Sequence, residues 1–160
     1  MPFDRLIKAI DHWAGKTGRK DIFAQIGLSE YHPQNIEWTK LLPPEEFKKK
    51  YGSAQAIVAH AGTGSIITAL QMGKPILIMP RRANLRETRN DHQIATSEQF
   101  RRFDSVIVAW DESELILKLE NISNFHGSSS VGPSASSELI NTLSEFINSV
   151  DKAPLISNPK

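Results

Sequence analysis

The sequence predicts an α/β fold in which a parallel sheet is covered by helices on both faces. Three segments, residues 56–59, 76–79 and 105–109, are short and apolar almost throughout. Strands of a parallel sheet are buried on both faces, so they show continuous apolar runs rather than alternation. Segments with helical spacing lie between these runs, which favours a doubly wound sheet.

The apolar spacing and the residues that end each element assign the elements in order. Apolar residues of the first segment recur every three or four positions, which predicts an amphipathic helix that ends near Gly15. A proline pair opens the second helix, Gly73 and Pro75 end the third, and residues 111–114 have capping-box spacing. The predicted order is helix 3–14, buried strand 22–26, strand 36–38, helix 45–51, strand 56–59, helix 65–72, strand 76–79, a polar stretch 81–91, a helix to about residue 102, strand 105–109 and helix 112–119.

The composition divides the chain into a folded region and a carboxy-terminal extension. Residues 1–120 contain all the predicted strands, and the Ser- and Gly-rich residues 121–135 predict a flexible linker. Residues 136–150 place apolar side chains along one helical face, and residues 151–160 are expected to form a loose tail. Two placements are open for this terminal amphipathic helix: packing on its own domain, or docking onto a partner.

Composition and charge exclude several classes of protein. The chain of 160 residues has 19 Lys+Arg and 18 Asp+Glu, and a net charge of +1 argues against a general nucleic-acid binder. The absence of cysteine excludes disulfide scaffolds, thiolate nucleophiles and Cys-ligated zinc. No apolar run approaches the roughly 18–20 residues of a membrane helix, and the first residues do not resemble a signal peptide. We therefore expect a soluble, cytoplasmic domain.

The most informative segment is His60-Ala61-Gly62-Thr63-Gly64-Ser65, which lies between a predicted strand and a predicted helix. Ligands of open α/β sheets bind at the carboxyl ends of the strands. Glycines allow close backbone approach, and the free amides of the following helix favour an anion, so the segment has the chemistry of a phosphate cradle. It is neither a P-loop nor a full dinucleotide fingerprint. On the pattern alone, a tight turn without a ligand is an equal alternative.

The wider sequence resembles the carboxy-terminal, donor-binding domain of family 28 glycosyltransferases. Over roughly residues 2–120, the similarity is carried by segments 60–70, 73–75, 80–82, 90–93, 3–6 and 24–27. Within the family, the chain is most similar to small catalytic subunits of bacterial exopolysaccharide glycosyltransferases. It is also similar to the catalytic subunit of the eukaryotic transferase that adds N-acetylglucosamine to a dolichol-linked sugar. The resemblance implies the Rossmann-like carboxy-terminal half of a GT-B enzyme, here without the first strand that family members carry ahead of segment 3–6.

The resemblance also implies a set of site residues. The diphosphate would be held by His60, Gly62, Thr63, Gly64 and Ser65. Thr68 stands at the position where the family usually grips the ribose with an acidic residue. Sugar contacts would come from Asp91, His92 and Gln93.

Other roles for these residues remain open. Arg81 belongs to a basic loop that fits either a solvated face or contact with phosphate or an acidic sugar. A capping histidine is the alternative for His60, and a helix cap is the alternative for Asp91.

The function implied by the resemblance is transfer of a sugar from UDP, with inversion, to a lipid-linked acceptor. No metal or other cofactor is expected. A membrane-associated partner subunit would supply the acceptor-binding domain and the general base, and it could recruit the chain to the membrane. Two alternatives are a non-catalytic module that binds a nucleotide or a partner, and a different nucleotide-dependent enzyme on a similar sheet.

Overall fold

The structure is a computed structural model, and it describes residues 1–124. Helices and strands alternate along this part of the chain, as predicted. The helices are α1 (Asp4–Thr17), α2 (Pro44–Ser53), α3 (Thr63–Gln71), α4 (His92–Phe100) and α5 (Glu112–Glu120), and two 3₁₀ turns span Ala83–Leu85 and Ile122–Asn124. The strands are β1 (Phe23–Gln25), β2 (Glu37–Thr39), β3 (Ile57–His60), β4 (Ile76–Met79) and β5 (Val106–Val108).

The strand pairs within the described residues are all parallel. Strands β3, β4 and β5 form one sheet in that order, with Ile57 opposite Ile76 and Ile76 opposite Val106. Strands β1 and β2 form a separate two-stranded sheet. Parallel strands alternating with helices confirm the predicted α/β class, and the division into two sheets is a detail that the sequence did not predict.

The central strand β4 separates two hydrophobic cores. Ile76 and Ile78 face a core that contains Phe100 of α4 and Ile66 of α3. Leu77 and Met79 face the opposite core, which is completed by side chains of α1 and α5. All four residues of β4 are buried. Helices therefore cover both faces of this sheet, as expected for a doubly wound arrangement.

Several element boundaries differ from the predictions. Helix α1 continues past Gly15 to Thr17 and ends at Gly18, which adopts the left-handed conformation with φ of 71°. Gly15 serves packing rather than termination, because an added Cβ would lie 2.8 Å from the side chain of Asn35. Strand β1 is half-buried or exposed rather than buried. The predicted cap of α5 is confirmed, since the Glu114 amide donates to Asp111 Oδ1 at 2.9 Å.

A buried aspartate on α1 holds the loop that connects β1 and β2. Asp11 is 1% exposed and accepts hydrogen bonds from the Tyr31 hydroxyl at 2.6 Å and from the Asn35 amide at 2.7 Å. Desolvation by burial acts to raise the pKa of Asp11, but these hydrogen bonds outweigh it and leave the pKa below its usual value. Nearer the start of α1, Asp4 accepts a hydrogen bond from the Ser29 hydroxyl at 2.6 Å. Together these contacts attach the β1–β2 unit to α1.

The predicted linker, terminal helix and tail lie outside the described residues, apart from the turn at Ile122–Asn124. Within residues 1–124, no helix is long and apolar enough to cross a membrane.

Candidate functional site

The amino-terminal turn of α3 directly follows the carboxyl end of β3. Gly62 precedes the helix in an extended conformation, and the first helical hydrogen bond runs from the Ile66 amide to the Gly62 carbonyl at 3.2 Å. The amides of residues 63–65 precede this first bonded turn and lie at the positive end of the helix dipole. An added Cβ on Gly64 would meet no atom within 4 Å. The turn therefore presents backbone donors that a ligand can approach closely.

His60 ends β3 and lies against this turn. A Cβ on Gly62 would overlap the His60 ring, so the ring position requires glycine at 62. The Nδ1 atom of His60 is buried without a hydrogen-bond partner, and no side chain caps α3, which makes the capping alternative wrong. Burial, together with the positive charges of Arg81 and His92, lowers the pKa of His60 to about 4. The ring is therefore neutral at pH 7.

Two arginines follow the carboxyl end of β4. The Arg81 amide donates to Gln93 Oε1 at 3.1 Å, and the Arg81 guanidinium lies 5.3 Å from the centroid of the Phe3 ring. The Arg82 guanidinium donates to the Trp110 carbonyl at 2.7 Å. In both arginines the Nε atom is buried without a partner. Each side chain is thus held by the protein but keeps an unsatisfied donor.

Most of the unpartnered buried nitrogens belong to residues at the carboxyl ends of the paired strands β3 and β4. Within residues 1–124, four buried side-chain nitrogens lack a partner, and three of them belong to His60, Arg81 and Arg82. The fourth is Nε1 of Trp13. Because buried polar groups are nearly always hydrogen-bonded, such a concentration indicates where a ligand completes the structure. Two of the three groups are cationic, which favours an anion.

A buried ion pair fixes the loop that carries these arginines. Arg5 of α1 donates to both carboxylate oxygens of Glu87, at 2.8 and 3.0 Å, and also to the Pro80 carbonyl at 3.0 Å. Glu87 in turn accepts a hydrogen bond from the Arg82 amide at 3.0 Å. The Arg5 and Glu87 side chains are only 13% and 10% exposed. The pair therefore clamps residues 80–87 onto the start of α1.

The residues at the start of α4 take different positions. The Asp91 side chain accepts a hydrogen bond from the Ala83 amide at 2.8 Å and makes none to α4, so the helix-cap alternative for Asp91 is wrong. His92 is exposed, and its Nδ1 bonds the side-chain oxygen of Asn90. Gln93 is buried and supports the Arg81 backbone. The sugar contacts expected of Asp91, His92 and Gln93 stay predictions.

Thr68 lies one helical turn beyond the open turn of α3. Its hydroxyl donates to the Gly64 carbonyl at 2.8 Å, so both residues share one face of the helix. From α2, the Tyr51 hydroxyl donates to the Ser65 carbonyl at 3.2 Å and braces the same turn. Contact between Thr68 and a ribose stays a prediction.

Sequence reasoning missed the supporting residues Arg5, Glu87 and Tyr51. The sequence did carry a signal for Glu87, because residues 81–90 contain four arginines and Glu87 is the only acidic residue there. A lone carboxylate in such a loop is expected to pair inward. Arg5 carried no comparable signal, since its partner is 82 residues away in the sequence.

Within the described residues, no group of three or more His, Cys, Asp or Glu side chains is placed to hold a metal ion. This finding concerns protein ligands only, and the expectation that the chain works without a metal stays a prediction.

The fold is a doubly wound α/β domain whose unpartnered nitrogens lie at the carboxyl ends of its parallel strands, where ligands of such sheets bind. A sequence model of the glycosyltransferase family 28 C-terminal domain matches residues 2–123. The chain therefore belongs to this family, whose C-terminal domain binds the nucleotide-sugar donor. No curated protein and no solved structure matches the chain significantly.

Proposed function

We propose that this chain is the donor-binding subunit of an inverting glycosyltransferase that uses a UDP-sugar. The observation that carries the proposal is the cluster of unpartnered buried nitrogens on His60, Arg81 and Arg82, beside the open amino terminus of α3. A diphosphate would accept hydrogen bonds from both arginine Nε groups, from the free amides of the turn, and from His60 in the tautomer that carries its proton on Nδ1. Family membership supplies the ligand class, a nucleotide sugar.

The same geometry suits the leaving group of sugar transfer. An acceptor hydroxyl attacks the anomeric carbon from the side opposite UDP, and negative charge grows on the diphosphate as the glycosidic bond breaks. Backbone amides at residues 63–65 and the guanidinium groups of Arg81 and Arg82 would stabilise that charge. The Trp110 carbonyl already holds the Arg82 guanidinium, Gln93 holds the Arg81 backbone, and α3 holds its own amides, so little reorganisation is needed.

We assign the general base and the acceptor-binding domain to a partner chain. His60 is a weak base near neutral pH because its pKa is about 4. The carboxylate of Asp91 is engaged by the Ala83 amide. A membrane-associated partner that presents a lipid-linked acceptor would complete the active site. Transfer by the chain alone should then be weak or absent.

A second candidate is a nucleotide-binding module without turnover. The Thr68 hydroxyl donates to the Gly64 carbonyl, so a ribose would compete with a bond that the helix already makes. An assay of sugar transfer with and without the acceptor-binding partner separates the two candidates. Transfer that appears only with the partner supports the enzyme, whereas UDP binding without transfer in either case supports the module.

The direct test is calorimetric titration of UDP against the chain and its Gly64→Val variant. An added side chain at 64 points into open space, so the variant should fold while blocking the backbone approach. We expect an affinity loss of about tenfold or more, because hydrogen bonds to a charged group contribute about 1.5–3 kcal/mol each. The matched control is Gly52→Val in α2, where an added Cβ would make an ordinary contact of 3.7 Å with Met72.

Each outcome of this titration has a distinct meaning. Loss of binding in Gly64→Val but not in Gly52→Val supports the site. Equal UDP affinity in wild type and folded Gly64→Val contradicts it. Repeating the titration in EDTA tests the metal expectation, since an architecture of backbone amides and guanidinium groups should bind UDP equally well without divalent ions.

A further inference from the structure

The side chain of Phe3 is buried at the start of α1, next to two arginines. Phe3 is 5% exposed and belongs to the core that contains Leu77 and Met79 of β4. The Arg5 guanidinium lies 5.4 Å and the Arg81 guanidinium 5.3 Å from the centroid of the Phe3 ring. Both distances are within the roughly 6 Å over which a cation is attracted to the face of an aromatic ring.

The two arginines differ in how their charge is neutralised. Arg5 forms ion pairs with Glu87 at 2.8 Å and with Glu112 at 3.1 Å. Within residues 1–124 no carboxylate forms an ion pair with Arg81, and the Nε atom of Arg81 is buried without a partner. Burial lowers the pKa of Arg81, and the attraction of Glu87 offsets only part of this effect. Phe3 therefore contacts a guanidinium whose charge remains available to another anion.

An aromatic ring supports a cation differently from a carboxylate. A carboxylate paired with Arg81 would neutralise the guanidinium and repel a phosphate. A phenyl ring attracts the guanidinium through its quadrupole and carries no net charge, so it leaves the attraction for a phosphate intact. Because core packing fixes the ring of Phe3, the ring also restricts the positions that the long Arg81 side chain can take.

The guanidinium that Phe3 contacts lies near the open turn of α3. The positive charge of Arg81 contributes to the lowered pKa of His60, which requires these two side chains to be close in space. The preceding strands β3 and β4 are adjacent and end in register, with His60 opposite Met79. Arg81 follows Met79 by two residues, at the same end of the sheet as the turn at residues 62–65.

We propose that Phe3 is a positioning residue for the donor diphosphate and that it acts through Arg81. This inference rests on the proposed function, because it adds a residue to the same site. The ring holds the Arg81 guanidinium in place before the donor arrives. Ordering a long side chain during binding costs affinity, and a side chain that is already held avoids that cost.

Calorimetric titration of UDP against the full chain and its Phe3→Leu variant tests this proposal. Leucine keeps an apolar side chain in the core but removes the ring, so UDP should bind about fivefold more weakly. Phe3→Tyr keeps the ring and should restore the affinity of the wild type. The matched control is Phe100→Leu, the same exchange at a fully buried position in the core on the other side of β4, which should lower stability without changing UDP affinity.

Two further measurements show whether the effect passes through Arg81. Arg81→Gln should weaken UDP binding, and adding Phe3→Leu to that variant should cause no further loss, because the two residues then act as one unit. In NMR spectra without ligand, the signal of the Arg81 Nε proton should move in Phe3→Leu, which removes the ring current, and should stay in place in Phe100→Leu. Phe3→Met, with its adaptable side chain, replaces Phe3→Leu in these comparisons if the leucine variant does not fold.

Equal UDP affinity in wild type and folded Phe3→Leu overturns the proposal and leaves the proposed function intact. The proposal is also overturned by an equal loss of affinity in Phe3→Leu and Phe100→Leu, by a further loss when Phe3→Leu is added to Arg81→Gln, or by an unmoved Arg81 signal. A wild-type chain that does not bind UDP overturns the proposed function itself, and the role of Phe3 falls with it.

Discussion

The clamp between Arg5 and Glu87 should be a main source of stability for the loop that carries Arg81 and Arg82. Glu87→Gln keeps the volume of the side chain but removes its charge, so one of two bonds from Arg5 is lost and the other is weakened. Loss of a partner from a buried ion pair costs about 3–5 kcal/mol. Arg5 keeps its contacts with Glu112 and Pro80, so we expect a smaller loss, about 2–3 kcal/mol in the free energy of unfolding.

Urea denaturation of the full chain at pH 7 measures this loss. The matched control is Glu98→Gln, which removes the pair between Glu98 and Arg101 on the surface of α4, where the side chains are 51% and 62% exposed. Such exposed pairs contribute about 0–1 kcal/mol. If Glu87→Gln unfolds at the same urea concentration as Glu98→Gln, with unchanged dependence on urea, the clamp does not stabilise the loop.

Two further predictions concern the proposed site. Because His60 has a pKa of about 4 when folded and 6.5 as a free group, the unfolded chain binds an extra proton between these values, so stability should fall as pH falls from about 6.5 to 4. The free energy of unfolding of His60→Gln, measured by urea denaturation across this range, should depend less steeply on pH, by up to about 1.4 kcal/mol per pH unit. An unchanged dependence would contradict a buried neutral His60. Thr68→Glu should tighten UDP binding by about 1 kcal/mol, because a carboxylate accepts stronger hydrogen bonds from the ribose hydroxyls. Calorimetry should show this gain for UDP and a smaller one for a 2′,3′-dideoxy analogue, which lacks those hydroxyls. Weaker UDP binding by folded Thr68→Glu would mean that position 68 does not face the ribose.

Local signals predicted most of the fold. The strand Ile76–Met79 was evident as a continuous apolar run, and Asp111 was evident as a cap from its spacing to Glu114. Predictions failed where a distant contact decided the outcome. Gly15 is typical of a helix stop, but here the side chain of Asn35 packs against it, 2.8 Å from where a Cβ would lie, and the helix continues.

The candidate site was predictable to a similar degree. The turn at residues 62–65 follows from glycines between a strand and a helix, and the structure places it as expected. Asp91 offered two local roles, and neither anticipated its bond to the Ala83 amide. The clamp of Arg5 and Glu87 depends on the packing of α1 against the loop after β4. Residues so far apart in the sequence form no spacing pattern from which their pairing could be predicted.

NMR of the isotope-labelled chain observes directly where UDP binds. UDP bound at the start of α3 should shift the amide signals of Thr63, Gly64 and Ser65, together with the side-chain signals of His60 and Arg81, while signals of α5 stay unchanged. If UDP binds but shifts only residues elsewhere, such as the cleft between α1 and α5 lined by Lys8, His12 and Lys16, then the start of α3 is not the donor site.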